Sequence, residues 1–389
     1  ICSECFRLLE RHSITARNGD HMITHDSSLD PEKVLRADLA FHLGSREHYD
    51  IYSIRSVCQR YPIGDSDFVC LQKNPPEVFA GSFFKTNCRF SSDKIECDEE
   101  LMSSKQQRTF RTIKRDYSLM SGDTPYAFAL RDRRLHNYKE IFHTKYPIPV
   151  FQYHRHKALS AIIHPLRGYH EYPSKNIPRF LDIVPFAEKK PVVFWRGNLA
   201  GRIKARAEES PLLGILSDGA IGAEEQLLLL RQSVRYTLSE QSVADDRLDA
   251  GIVLPPLRTD LESNPLISSL TKARATITEH FGYRYLLALD GYDGPSSWYW
   301  MLNSNSIVIR QKSDWLMFGD NYFVPWVHFI PMAEDASDLM DLFDWCERNQ
   351  SACEKISLNA KAAWSVLFNP SYQVERRRSL MQAYCEWFR

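Results

Sequence analysis

From about residue 105 onward, short apolar runs alternate with longer stretches of helical periodicity. The runs are Tyr126 to Leu130, Ile148 to Tyr153, Val192 to Trp195, Tyr285 to Leu289, Ser306 to Ile309 and Val327 to Ile330. Brief runs of this kind, bounded by turn formers, are the pattern of strands buried on both faces. Between them, Glu224 to Tyr236 and the stretch after Asp335 have helical spacing. In the second, Leu339, Leu342, Phe343 and Cys346 fall on one face, and Ser337 is placed to cap the start. A further helix is predicted from about Ser351 to Leu367, stopped by Asn369-Pro370. The final segment, Gln373 to Phe388, carries Leu380, Ala383, Tyr384 and Trp387 on one stripe and needs a surface to pack on. Strands alternating with helices predict parallel sheets covered on both faces. Such sheets take ligands in the crevice at the carboxyl ends of their strands.

The first hundred residues read differently. Turn-forming clusters, Pro62-Ile63-Gly64-Asp65 and Asn74-Pro75-Pro76, break the apolar pattern and predict an irregular, helix-containing region. A chain of 389 residues exceeds what one core supports. The expected division is a cysteine-containing region at 1–104, a Rossmann-like lobe at 105–188 and a second such lobe at 189–371. A C-terminal helix at 372–389 is expected to pack back on the first lobe.

Composition narrows the function classes. The chain is 43% hydrophobic and 25% charged, the balance of a globular protein. Its 49 basic residues balance 49 acidic ones, which argues against a protein built to neutralise nucleic acid. Any anion must be held by local charge. No apolar run reaches the length of a membrane-spanning helix. The chain opens at Ile1 rather than at a methionine, so a removed signal peptide or anchor stays open, and any membrane association would run through a segment absent from this chain.

The nine cysteines include the near neighbours Cys2 with Cys5, Cys58 with Cys70, Cys88 with Cys97, and Cys346 with Cys353. Local disulfides in an oxidising compartment are the favoured reading. Zinc is disfavoured because no second Cys-x-x-Cys or His-x-x-x-His follows the first pair. Asp65-Ser66-Asp67 has the spacing of a metal-binding pair but sits among turn formers. Asn349-Gln350-Ser351 is a lone glycosylation pattern.

Three strand ends carry candidate chemistry. Val192 to Trp195 runs into Arg196-Gly197-Asn198-Leu199-Ala200-Gly201-Arg202, with Lys204 and Arg206 beyond. Glycines admit an anion to the backbone and arginine offers a fork matched to phosphate oxygens, while the plain alternative is a tight turn with solvated arginines. Leu289 runs into Asp290-Gly291-Tyr292-Asp293-Gly294-Pro295-Ser296-Ser297-Trp298. There a carboxylate and small hydroxyls could hold a nucleoside, or Ser296 or Ser297 could simply cap a helix. Phe128-Ala129-Leu130 ends in Arg131-Asp132-Arg133-Arg134, either a surface ion pair or a carboxylate able to take a proton from an attacking hydroxyl.

Taken in order, these stretches resemble glycosyltransferase family 90, which includes Rumi-type protein O-glucosyltransferases, capsule-associated (CAP10) xylosyltransferases and lipopolysaccharide-core enzymes. The resemblance is carried by His280 to Gly291, Ser306 to Arg310, Asp314-Trp315, Pro325 to Pro331 and Asp335 to Leu339, with Trp195-Arg196-Gly197-Asn198 and Ala129-Leu130-Arg131-Asp132. It runs from about 125 to 350. It implies an α/β fold of two Rossmann-like lobes facing across a cleft (GT-B type). It also implies inverting transfer from a UDP-sugar without a divalent cation or other cofactor, with Asp132 as general base and the arginine loop on the donor's diphosphate. Two departures bear on donor and acceptor. Arg133-Arg134 replaces the family's Tyr-Pro, and Ser296-Ser297-Trp298 stands where Rumi-type enzymes have an arginine.

The expected function is therefore transfer of glucose or xylose from a UDP-sugar to a hydroxyl of a protein or glycan acceptor. Asp132 is the catalytic residue, and Arg196, Gly197, Asn198, Arg202, Arg206, Asp290, Gly291, Ser296 and Ser297 hold the donor. The alternatives are a non-catalytic glycan- or nucleotide-binding protein and a metal-assisted transferase. The cysteines favour a secretory lumen, endoplasmic reticulum or Golgi, over the bacterial cytoplasm at the inner-membrane face.

Overall fold

The computed structural model describes residues 38–52, 54–60, 68–129, 148–157, 161–174, 177–179, 181–205 and 208–389. The chain divides into two compact units: Ile1–Arg179 with Asp314–Tyr322 and Ser365–Arg389, and Phe180–Ser313 with Phe323–Trp364. The boundary falls at 179/180, ahead of the expected 188/189, for an identifiable reason. Asp182 accepts from Lys189 Nζ at 2.8 Å and from the Asn305 amide at 2.7 Å, which fixes the segment before the first strand to the second unit. The cysteine-containing region forms no unit of its own.

The first unit holds a five-stranded sheet of β1 (Phe68–Gln72), β2 (Glu77–Ala80), β3 (Tyr126–Ala129), β4 (Val150–Gln152) and β5 (Ile162–Ile163), in the order β2-β1-β3-β4-β5. The expectation of parallel sheets fails here, because β1 runs antiparallel to both β2 and β3 and only β3, β4 and β5 are parallel. Two strands also come from the region read as irregular. Val69-Cys70-Leu71 and Val78-Phe79-Ala80 are short apolar runs on either side of the Asn74-Pro75-Pro76 turn, and together they make a hairpin.

One face of this sheet is covered by two helices. Ser104–Asp116 starts with a capping box in which Ser103 and Gln106 exchange bonds, and Pro370–Glu386 is capped by Asn369 with proline in its first turn. Phe110 and Ile113 of the first, and Leu380, Met381 and Tyr384 of the second, pack with Tyr126, Phe128 and Phe151 in one core. Tyr384 Oη also donates to Pro125 O at 2.8 Å. The Cys88–Cys97 disulfide links a small hairpin, Cys88–Phe90 with Ile95–Cys97. Cys346 and Cys353, another of the neighbouring pairs expected to bond, are buried free thiols.

The second unit's sheet is parallel throughout. Its strands are β6 (Lys190–Gly197), β7 (Leu248–Ile252), β8 (Tyr283–Ala288), β9 (Ile307–Gln311) and β10 (Ile330–Met332), ordered β7-β6-β8-β9-β10. Counted from its own first strand this is 2-1-3-4-5, a doubly wound order whose topological switch point lies between β6 and β8. Val193 and Trp195 of β6, Tyr285 and Leu287 of β8, and Ile309 of β9 pack against Leu339, Leu342, Phe343 and Cys346 of the Leu339–Arg348 helix. Those four side chains are the helical stripe read from the sequence.

Other elements depart from the reading. The helix expected over Glu224 to Tyr236 is two, Ala223–Leu230 and Val234–Gln241, separated by a turn at Gln232-Ser233. Leu339–Arg348 begins behind Asp338, while the Ser337 hydroxyl donates to Asp335 instead of capping. The Val327 run enters a strand only at Ile330, because the chain turns at Trp326, whose φ is 64° and whose amide bonds Phe329 O at 2.7 Å. Among the described residues no helix is long and apolar enough to cross a membrane.

Candidate functional site at the switch point of the parallel sheet

At the carboxyl end of β6 the chain leaves the sheet through Asn198–Gly201, and at the carboxyl end of β8 through Leu289–Gly291. The two exits touch. Gly201 has φ +133°, a conformation that side chains rarely adopt, and a Cβ there would sit 3.2 Å from Leu212 Cδ1 and 3.6 Å from Gly291 O. Gly201 is thus required by both backbone shape and close approach.

Arg235, second residue of the Val234–Gln241 helix, ties the exits together. Its Nε donates to Asp290 O at 2.8 Å, Nη1 to Asn198 O at 2.6 Å and Nη2 to Leu289 O at 2.7 Å. Burial, the main cause, lowers its pKa to about 10 against the attraction of Asp290 and Asp293, so it remains a cation at neutral pH. Sequence reading missed it, since an arginine in an amphipathic helix looks like a solvated surface charge.

Asp290 is the acid of the site. Its amide donates to Gln311 Oε1 at 3.0 Å, its Oδ2 accepts from the Ser313 hydroxyl, and its Oδ1 is buried without a hydrogen-bond partner among the described residues. Burial raises the carboxyl pKa to about 6, opposed by the Ser313 bond and by Arg310 and Arg235 and helped by Asp293. Half of this group is therefore neutral near pH 6. The Gly291 amide donates to Asp293 O at 2.9 Å. The Asp290 and Gly291 amides are thus occupied, so an anion beside them must find other donors.

Arg196 is placed differently from the expected phosphate fork. Its guanidinium donates to Trp195 O at 2.9 Å, Asp249 O at 2.8 Å and Asp249 Oδ1 at 2.8 Å. Lys272 Nζ donates to the same carboxylate oxygen at 2.6 Å. Burial works against ionisation of Asp249, but the bonds from Lys272 and Arg196 outweigh it and hold the carboxyl below its usual range. The Arg196 guanidinium also lies 4.4 Å from the centroid of Phe194, which stacks on Tyr283 at 3.8 Å with the rings 18° apart. Beside this stack is a cavity of about 390 Å³ lined by Lys190, Phe194, Arg196, Arg274, Glu279 and Tyr283, among others. Its size and its aromatic wall suit a small planar or ring-shaped ligand, and with Arg196 paired to Asp249, Lys190 and Arg274 against Glu279 leave an excess of one positive charge. Arg196, the last residue but one of β6, lines the cavity two residues ahead of the exit. Neither Asp249 nor the β7 strand that carries it was read from the sequence.

The remaining expected residues divide. Asn198 and Arg202 are exposed, Arg202 at the start of the Arg202–Ala205 strand, which pairs with Glu208–Pro211. Ser296 and Ser297 are half-buried and precede a helix of one turn, Trp298–Met301. The Ser297 side chain makes no capping bond, so the expected cap is not formed. Asp132 and Arg206 lie outside the described residues, as do Cys2, Cys5 and Asp65-Ser66-Asp67. In sequence Asp132 follows shortly after β3, which runs parallel to β4.

The first unit has a polar centre of its own that was not anticipated. Asp116 accepts from Arg115 Nε at 2.8 Å and Arg377 Nε at 3.0 Å, and its Oδ2 lies 2.8 Å from His164 Nε2 just past β5. Burial opposes the charge, but Arg115 and His164 hold the Asp116 carboxyl well below its ordinary value. Asp116 and His164 are both fully buried, so the centre braces the sheet from within.

Comparison with known proteins bears on residues of the second unit above all. Residues 239–387 match the model of glycosyl transferase family 90. Uncharacterized protein 035R of Invertebrate iridescent virus 3 is 28% identical over 128 residues, 31% of this chain and 12% of that protein. Protein O-glucosyltransferase 2 of Danio rerio is 30% identical over 80 residues, 21% of this chain and 16% of the relative. O-glucosyltransferase LpsA of Dichelobacter nodosus is 27% identical over 112 residues, 28% of this chain and 35% of the relative. The similarity thus spans only a minor part of each relative's length.

Proposed function

Residues 239–387 belong to glycosyl transferase family 90, and on that footing we propose that the chain is a glycosyltransferase moving glucose or xylose from a UDP-sugar to a hydroxyl of a protein or glycan acceptor. The observation that carries the reading is the switch point of the second sheet, where two glycine-containing exits meet under a cation, with a cavity that has an aromatic wall lying along β6 and the start of β8. Nucleotides bind parallel sheets at such points. Within this reading the cavity takes the nucleoside, with its flat faces near Phe194 and Tyr283, and the diphosphate lies at the Asn198–Gly201 exit. Asn198 stands at that exit and Arg202 at the start of the hairpin after it, and Arg206 follows them in sequence.

Breaking the bond between sugar and diphosphate builds negative charge on the leaving group. Fixed guanidinium and amide donors stabilise such charge without reorganising. Asp132 is the proposed base: it takes the acceptor's proton as the hydroxyl attacks the anomeric carbon from the side opposite the departing diphosphate, inverting that centre. In this scheme the two units form the two lobes of a GT-B enzyme. The protein O-glucosyltransferase name of the Danio rerio relative, together with the Cys88–Cys97 disulfide, favours the secretory lumen for this chain.

The test is a donor screen that monitors release of uridine diphosphate from each nucleotide sugar, run with and without chelator. The reading expects turnover with one UDP-sugar that chelator leaves intact. It also expects Asp132→Asn to lose transfer by about 10²-fold or more while still binding uridine diphosphate. Strict manganese dependence would refute the metal-free scheme. An unaffected Asp132→Asn enzyme would remove the assigned base, and the absence of turnover with any donor would leave a binding protein.

A further inference from the structure

Three backbone carbonyls from two separate strand exits converge on one guanidinium, that of Arg235. Carbonyl oxygens are acceptors with partial negative charge, and a cluster of them at the end of a parallel sheet repels any phosphate brought there. Arg235 covers all three. A guanidinium has five N–H donors, and these three bonds leave two of them without a protein partner among the described residues. Nor does any carboxylate among the described residues form an ion pair with it. Arg196, by contrast, is neutralised by Asp249 at 2.8 Å. A half-buried cation held only by carbonyls, with Asp290 and Asp293 acting on it at a distance rather than in an ion pair, gains most from a ligand that brings the opposite charge into contact. The neighbouring position leaves it room, since a Cβ at Gly291 would stand 3.0 Å from Arg235 Nη2 and 3.3 Å from Ala200 Cβ.

We propose that Arg235 is an anion-binding and positioning residue, locking the Asn198–Gly201 and Leu289–Gly291 exits together and presenting its two remaining N–H groups to the diphosphate of the donor. The proposal rests on the nucleotide-sugar reading and sharpens it by moving the cation from Arg196 to a residue of the Val234–Gln241 helix. The positive charge arrives already fixed to the backbone that must receive the phosphates, so little side-chain ordering accompanies binding.

The experiment is calorimetric titration of the full chain with inorganic pyrophosphate, uridine diphosphate and uridine, comparing wild type with Arg235→Gln and Gly291→Ala. Loss of charged hydrogen bonds should weaken pyrophosphate and uridine diphosphate by about tenfold or more in Arg235→Gln. Uridine, which carries no phosphate, should bind both forms alike. Gly291→Ala keeps the charge but pushes Nη2 from its place, and should weaken the same two ligands while sparing uridine. Equal pyrophosphate affinity in wild type and Arg235→Gln overturns the proposal. If Arg235→Gln does not fold, unchanged pyrophosphate affinity in Gly291→Ala overturns it instead. Pyrophosphate binding that depends on Arg235, with no nucleoside diphosphate bound, supports the anion site while refuting the nucleotide reading. Uridine diphosphate bound equally by all three proteins does the reverse.

Discussion

Replacing Asp290 with asparagine should change the pH dependence of folding in a direction fixed by the burial of that carboxyl. In the folded protein its pKa is raised from 3.8 to about 6, with burial the chief cause. A group whose folded pKa is raised favours the folded state fully below the unfolded value and loses that contribution as pH rises through the folded value. The gap corresponds to about 3 kcal/mol at roughly 1.4 kcal/mol per tenfold step in proton affinity. Asparagine cannot ionise, so the variant lacks this loss. Its amide brings a cost of its own, because the Oδ1 position has no partner among the described residues, but that cost is independent of pH. Urea titrations between about pH 4 and pH 8 isolate the difference. Relative to wild type, Asp290→Asn should gain about 2–3 kcal/mol across that range, most of it between about pH 4 and pH 6, with little further change above pH 7. A flat difference, or a variant that loses ground as pH rises, would refute the reasoning and place an ionised carboxylate at residue 290.

Two further outcomes follow from packing and charge. Asp116→Asn takes the carboxylate from buried Arg377 and leaves Arg115 with Glu171 alone, and should destabilise the first unit by about 3–5 kcal/mol in denaturant titrations. Because the Asp116 carboxyl is held below its ordinary value, its contribution is present above about pH 4 and declines in acid, so the variant and wild type should converge as pH falls. Gly201→Ala puts a side chain at φ +133° and 3.2 Å from Leu212, and should cost about 1–3 kcal/mol of stability while raising the donor KM. A Gly201→Ala enzyme with unchanged KM would separate that exit from donor binding.

Much of the second unit was legible in the sequence because its strands are buried on both faces. Val192 to Trp195, Tyr285 to Leu289 and Ser306 to Ile309 are apolar at nearly every position, and each falls within or overlaps a strand of the parallel sheet. β7 escaped notice because Asp249 and Gly251 interrupt it. Those residues are there for local reasons: Asp249 meets Arg196 and Lys272, and a Cβ at Gly251 would fall 2.6 Å from the Lys272 side chain. β1 and β2 were hidden by brevity and by the proline-rich turn between them. The site was half visible. Glycines and acids at strand ends announce themselves locally, whereas Arg235 acts through carbonyls of Asn198, Leu289 and Asp290 that are remote in sequence, and no spacing rule connects them. The same limit applied to Arg196, whose partner stands on a neighbouring strand.

The most direct test of the account is a crystal structure of the chain with uridine diphosphate. The account predicts the diphosphate at the carboxyl ends of β6 and β8, its oxygens within hydrogen-bond reach of the Asn198–Gly201 exit and of Arg235. A nucleotide bound elsewhere on the chain, with that exit and Arg235 unchanged, would contradict it.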